Sequence, residues 1–113
     1  MSGTVTSYLV EEGASIDKAR DDGATPLHIA SQNGHLEVAI LLVEAGADID
    51  KARDDGCTPL LIASAQGHKE VVKALLALGA DATLATTEGT TPVQIAKHNS
   101  DLEIVALLEA ALL

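Results

Sequence analysis

The stretch Gly23-Ala24-Thr25-Pro26-Leu27-His28-Ile29-Ala30 decides how the rest of the chain is read. Proline lacks a backbone N–H and holds φ near the helical value, so Pro26 suits the first position of a helix. Thr25, just before it, is a preferred N-cap. Asp22-Gly23 is a turn dipeptide. The same arrangement returns as Gly56-Cys57-Thr58-Pro59-Leu60-Leu61-Ile62-Ala63 and again as Gly89-Thr90-Thr91-Pro92-Val93-Gln94-Ile95-Ala96. The three prolines of the chain, Pro26, Pro59 and Pro92, are thus 33 residues apart. A period of that length marks a repeat array.

Outward from these boxes the repeat covers the chain. Lys18–Asp50 and Lys51–Thr83 are identical at 20 of 33 aligned positions. Residues 84–113 form a third, more diverged copy, and Val5–Asp17 aligns with Val38–Asp50, the last part of a copy. One continuous domain is expected: a half repeat at 1–17, repeats at 18–50 and 51–83, and a terminal capping repeat at 84–113. Within each copy a first helix of about two turns, Pro26–Asn33, should end at Gly34, which accepts left-handed dihedrals. A second helix, near Leu36–Ala45, should bury Val38, Leu41, Leu42 and Ala45 on one face and stop at Gly46. Helices this short do not stand alone, so each must pack on its counterpart in the next copy.

Gly23-Ala24-Thr25-Pro26-Leu27-His28-Ile29-Ala30, Gly34-His35-Leu36-Glu37-Val38 and Gly46-Ala47-Asp48-Ile49-Asp50 together resemble the ankyrin repeat, and the resemblance covers residues 5–113. It implies an all-α repeat solenoid of stacked helix–turn–helix units with projecting β-turn fingers. It also implies a noncatalytic role, binding other proteins through fingertips and first helices on the concave face. The His of the Thr-Pro-Leu-His box is expected to bond backbone near the finger. Departures are visible. Arg20, Arg53 and Thr86 stand where the family often has Asp. The box becomes Thr58-Pro59-Leu60-Leu61 and Thr91-Pro92-Val93-Gln94, and Ser100-Asp101 replaces Gly-His. Lys97, His98, Asn99, Ser100 and Asp101 give the last helix junction the polar character an end repeat needs, although the chain closes on Leu112-Leu113.

Composition narrows the function. The 113 residues carry 7 Lys+Arg against 17 Asp+Glu, a formal charge of −10. Such a surface repels phosphate backbones and lacks the basic patch that holds anionic lipid, so nucleic acid and membrane are not expected partners. Hydrophobic residues make up 47% of the sequence, but Tyr8 is the one aromatic, so the core must be aliphatic. No run approaches the roughly 18 apolar residues of a membrane span, and Met1–Val10 does not read as a signal peptide. Cys57 is the single cysteine. With no internal disulfide, a reducing, cytoplasmic setting is expected.

His28, His35, His68 and His98 do not recur at ligand spacing, so a metal site is not expected. Ser31, Ser64 and the nearby His and Asp residues contain the ingredients of a triad, but they repeat in register, as structural residues do, and no Gly-x-Ser-x-Gly elbow accompanies them. No phosphate-binding loop is present. The chain is therefore read as neither an enzyme nor a cofactor binder.

Candidate binding positions are those that the resemblance places at the surface and that vary between copies. In the first repeat they are Asp21, Asp22, Ala24, Gln32 and Asn33; in the second, Asp54, Asp55, Cys57, Ala65 and Gln66; in the third, Thr87, Glu88, Thr90, His98 and Asn99. None is Trp, Tyr or Arg, the usual energetic anchors of an interface, so a partner must bring its own. Asp21, Asp22, Asp48, Asp50, Asp54, Asp55, Asp81 and Glu88 are assigned to the fingers, where they form an acidic rim that attracts a basic protein or peptide or a solvated ladder paired with Lys18, Arg20, Lys51 and Arg53. A consensus-like, engineered or excised scaffold without an evolved partner is the competing reading, favoured by the high identity between copies. The expected state is a monomer, with a weak dimer through uncovered terminal helices as the competing state. Hydrogen exchange is expected to be fastest at Val5–Glu12 and Leu107–Leu113.

Overall fold

The structure is a computed structural model that describes residues 16–113. The expectations for Val5–Glu12 and most of the half repeat fall outside those residues. Among the described residues six helices follow in three pairs: α1 Pro26–Asn33 and α2 Leu36–Glu44, α3 Pro59–Gln66 and α4 Lys69–Ala77, α5 Pro92–His98 and α6 Leu102–Ala111. Helix α3 packs between α1 and α5, and α4 packs between α2 and α6, so the pairs stack as an inner and an outer layer. No strand occurs among the described residues.

Each inner helix begins as the sequence dictates. Thr25, Thr58 and Thr91 hold extended backbone, and their hydroxyls accept from the backbone N–H of His28, Leu61 and Gln94. In the first and third repeats the bond is returned: Thr25 N–H donates to His28 Nδ1 at 2.9 Å and Thr91 N–H to Gln94 Oε1 at 3.0 Å. Gly34 and Gly67 end α1 and α3 at φ +71° and +75°. Ser100 takes the same left-handed turn at φ +57°, a conformation that glycine adopts without strain.

Burial follows the 33-residue period. Leu27 and Leu60 are fully buried, as are Leu42, Leu75 and Leu108, while Ala30, Ala63 and Ala96 let the inner helices approach closely. The buried stripe of α2 differs from the expected one. Ala39 and Leu42 are buried, but Leu41 is 44% exposed and Ala45 lies past the helix end, exposed. The stripe follows one i, i+3 pair, Ala39 and Leu42, which the later copies fill with Val72 and Leu75 and with Val105 and Leu108. Leu41 sits about 100° around the helix from Leu42, on the outer surface.

The third repeat turns polar at the positions that pack forward in the first two. His28 and Leu61 become Gln94, and the buried Ser31 and Ser64 become Lys97; both replacements are exposed. Val43 and Leu76, which pack on the core, become Glu109. Lys97 Nζ and Glu109 Oε2, 3.4 Å apart, then bridge α5 and α6. Leu112 and Leu113 remain exposed, as the sequence suggested.

Candidate functional site: fingertips and inner-helix ends

Each finger is a five-residue loop closed by two backbone bonds. Arg20 N–H donates to Ala24 O at 2.8 Å and Gly23 N–H to Arg20 O at 2.8 Å. Arg53 and Cys57 close the second finger in the same way, and Thr86 and Thr90 the third, with N···O distances of 2.9 Å between those ends. Asp22 and Asp55 tighten the first two fingers by accepting from the N–H of Ala24 and Cys57. In the third, Thr86 Oγ1 accepts from Glu88 N–H and Thr90 N–H instead.

Neighbouring fingers are joined by main chain. Asp54 N–H donates to Asp22 O, and Thr87 N–H to Asp55 O, each at 3.0 Å. This contact explains two of the finger glycines. A Cβ on Gly23 would come within 2.9 Å of Asp54 Oδ1, and one on Gly56 within 2.7 Å of Thr87 N. A Cβ on Gly89 would meet nothing within 4 Å, because no described finger follows it.

The charged groups divide into two sets. Arg20 pairs with Asp22 at 3.0 Å and Arg53 with Asp55 at 2.7 Å. The guanidinium beside each holds the Asp22 and Asp55 carboxyls below the usual carboxylate range, and Asp55 in turn raises Arg53. Asp21, Asp54 and Glu88 are exposed at the fingertips, and among the described residues no cation pairs with them.

Asp48, Asp50 and Asp81, assigned to the fingers from sequence, sit at the other end of the connection. Asp50 Oδ1 accepts from Asp81 N–H at 2.9 Å, just as Asp17 accepts from Asp48 N–H. They clamp successive outer-helix exits rather than form the rim.

Most of the proposed binding positions lie on two rows. Asp21, Asp22, Asp54, Asp55, Thr87 and Glu88 are exposed on the fingers. Gln32, Asn33, Ala65, Gln66, His98 and Asn99 are exposed where the inner helices end, about 12 Å along an eight-residue helix from its start. Ala24 is a correction: it is 1% exposed, on the return arm of the finger just before the buried Thr25, and offers a partner no side chain. Its counterparts Cys57 and Thr90 are half-buried, and burial pushes the Cys57 thiol up. Asn99 has a structural duty, since its Nδ2 donates to Ala65 O at 3.0 Å.

Two histidines do related work. His28 Nε2 lies 2.9 Å from Cys57 O, the finger bond the resemblance implied. His68 Nε2 lies 2.9 Å from Gln32 O, its ring lying against Gly34. The row Ile29, Ile62 and Ile95 is not among the expected binding positions. Ile29 and Ile95 are half-buried, Ile62 is buried, and all three stand outside the central core cluster on the inner helices. Their unbroken 33-residue repetition was the available signal.

The family profile for ankyrin repeats, three copies, matches residues 1–53 and 49–111. The chain belongs to the ankyrin-repeat family, whose members are in general protein–protein interaction modules and typically noncatalytic. A comparison with curated proteins finds no match. No helix among the described residues is long and apolar enough to cross a membrane.

Proposed function

We propose that the chain is a noncatalytic recognition module that binds a basic protein or peptide along its fingertips and inner helices. The observation that carries this reading is the row Asp21, Asp54 and Glu88, exposed on fingers that the main chain holds in fixed register and without a cation partner among the described residues. Arg20 and Arg53 are committed to Asp22 and Asp55, so Asp21, Asp54 and Glu88 are the finger carboxylates left to face a cationic partner. Such a row of charge steers a cationic partner and fixes its orientation more than it supplies affinity. Binding strength must come from anchors on the partner, seated near the half-buried Ile29 and Ile95. A cytoplasmic setting belongs to the same reading, with Cys57 a free, half-buried thiol.

Affinity capture from a cell lysate at about 0.05 and 0.3 M salt tests it, because screening weakens exposed charge contacts. The control carries Asp21→Asn, Asp54→Asn and Glu88→Gln. A saturable protein weakened by salt and lost from the control supports recognition. Capture that is identical with the control contradicts it. The 20 identities shared by the two full repeats favour a second reading, a consensus-like scaffold with no evolved partner. Absence of any saturable protein would support that scaffold.

A further inference from the structure

The two junctions between the described helix pairs are not built alike. Between the first and second full repeats, His28 reaches forward to Cys57 O and His68 reaches back to Gln32 O. Between the second and third, Leu61 occupies the place of His28, and Asn99 supplies the backward bond, to Ala65 O. Only the first junction hangs on imidazoles.

His28 is held in one tautomer. Its ring is 0% exposed. Thr25 N–H donates to Nδ1, and Thr25 Oγ1 lies 2.9 Å from the same atom. Nδ1 is therefore the bare nitrogen, and Nε2–H donates to Cys57 O. A second proton would have to go on Nδ1, where it displaces the Thr25 N–H bond and leaves that donor unpaired, with only Thr25 Oγ1, at 2.9 Å, placed to accept it. Beyond that hydroxyl and the backbone of Cys57 and Lys51, the surroundings favour the charge little. Helix α3, packed on α1, reads PLLIASAQ and has no titratable side chain. Helix α2 contributes only Glu37 and Glu44, both exposed. On the second finger stand the Arg53 guanidinium, which repels the imidazolium, the Asp55 carboxylate, which is already paired with Arg53, and the half-buried Cys57 thiol.

We infer that the first junction is an acid-sensitive joint: acid drives the separation of α1 from the second finger by protonating the His28 imidazole that this separation uncovers, while the second junction, with Leu61 in that place, stays closed. Burial lowers the affinity of His28 for a proton in the folded state. Acid therefore favours the open form, starting as pH falls below the ordinary imidazole value of 6.5. The joint belongs to the stack whatever the fingertips bind, and its opening would break the register between Asp21 and Asp54.

Hydrogen exchange of the full chain, followed between pH 7 and 5 and corrected for intrinsic rates, tests this. Opening of residues 20–34 should rise by up to about tenfold per pH unit, the limit for uptake of one proton. Residues 92–111 should change much less. The differential should vanish in His28→Gln and appear at the second junction in Leu61→His. If His28→Gln does not fold, nitrogen NMR of the wild-type ring decides: a neutral, Nε2-protonated ring until the segment opens supports the joint. An imidazolium inside an intact first junction, an equal response of both segments, or a differential that survives in His28→Gln would overturn it.

Discussion

His28 Nε2 and the carbonyl oxygen of Cys57, 29 residues apart in sequence, are joined by a 2.9 Å hydrogen bond that ties the first inner helix to the second finger. The same ring caps its own helix through Thr25 N–H. One side chain thus satisfies a donor in one repeat and an acceptor in the next. His28→Ala leaves both groups unpaired, and each buried unpaired group costs about 1–3 kcal/mol. His28→Gln should lose less, because Gln94 already makes the capping bond in the third repeat. Urea unfolding of the two variants gives the comparison.

The same ring sets a pH dependence. The folded-state proton affinity of His28 is lowered, chiefly by burial. The stability it brings is complete above 6.5 and is lost as pH falls from there toward the lower folded value. The carboxylates of Asp22, Asp55 and Asp81 are lowered from 3.8 and that of Glu103 from 4.5, so their contributions are lost only at more acid pH. Stability measured from pH 8 to 5 should therefore decline in the wild type and stay flatter in His28→Gln. Parallel curves would remove His28 as the cause.

The finger glycines should separate by position. Gly89→Ala meets no neighbour and pays only for its positive φ of 87°, about 1–2 kcal/mol. Gly56→Ala has the same backbone penalty and also drives a methyl onto Thr87 N, adding about 1–3 kcal/mol of overpacking. Equal losses in chemical denaturation would mean that the fingers do not stack as closely as described.

Two leucines that are neighbours in sequence should behave as opposites. Leu42→Ala opens a cavity at a fully buried position and should cost about 2–5 kcal/mol. Leu41→Ala, at a position 44% exposed, should change stability by no more than about 0.5 kcal/mol. Midpoints of thermal unfolding will rank the two directly.

This pair also marks how far the sequence could be read. The Thr-Pro boxes at Thr25-Pro26, Thr58-Pro59 and Thr91-Pro92 made the inner helices and their starts legible, since capping is a local property. Gly34 and Gly67 did the same for their ends. The face of α2 was less legible, because Val38, Ala39, Leu41, Leu42 and Val43 are all apolar and only packing selects among them. Ala24 was misplaced for a related reason: variation between copies cannot separate a surface position from a buried one that tolerates Ala, Cys or Thr. The polar end positions Gln94, Lys97 and Glu109 acquired meaning only when His28, Ser31 and Val43 were seen to face forward. The fingertip row was legible as acidic composition. Its division into Arg-paired and unpaired carboxylates required the geometry of Arg20 and Arg53.

Ser100 offers a gain rather than a loss. It adopts φ +57°, where Gly34 and Gly67 stand in the earlier copies. Ser100→Gly removes a left-handed strain of about 1–2 kcal/mol and gives back about 0.5–1 kcal/mol in unfolded-chain entropy. A small rise in melting temperature is expected, and a fall would show that the Ser100 side chain holds the turn.

On the proposed function, the unpaired carboxylates of Asp21, Asp54 and Glu88 select a basic partner. This is tested most directly by selecting binders from a random-peptide library on the folded chain, then measuring their affinity for Asp21→Asn, Asp54→Asn, Glu88→Gln. The expected peptides are rich in Lys and Arg, bind saturably, weaken with salt and lose most of their affinity for the triple variant. Selected peptides that are neutral or acidic, or that bind the triple variant as tightly as the wild type, would contradict it.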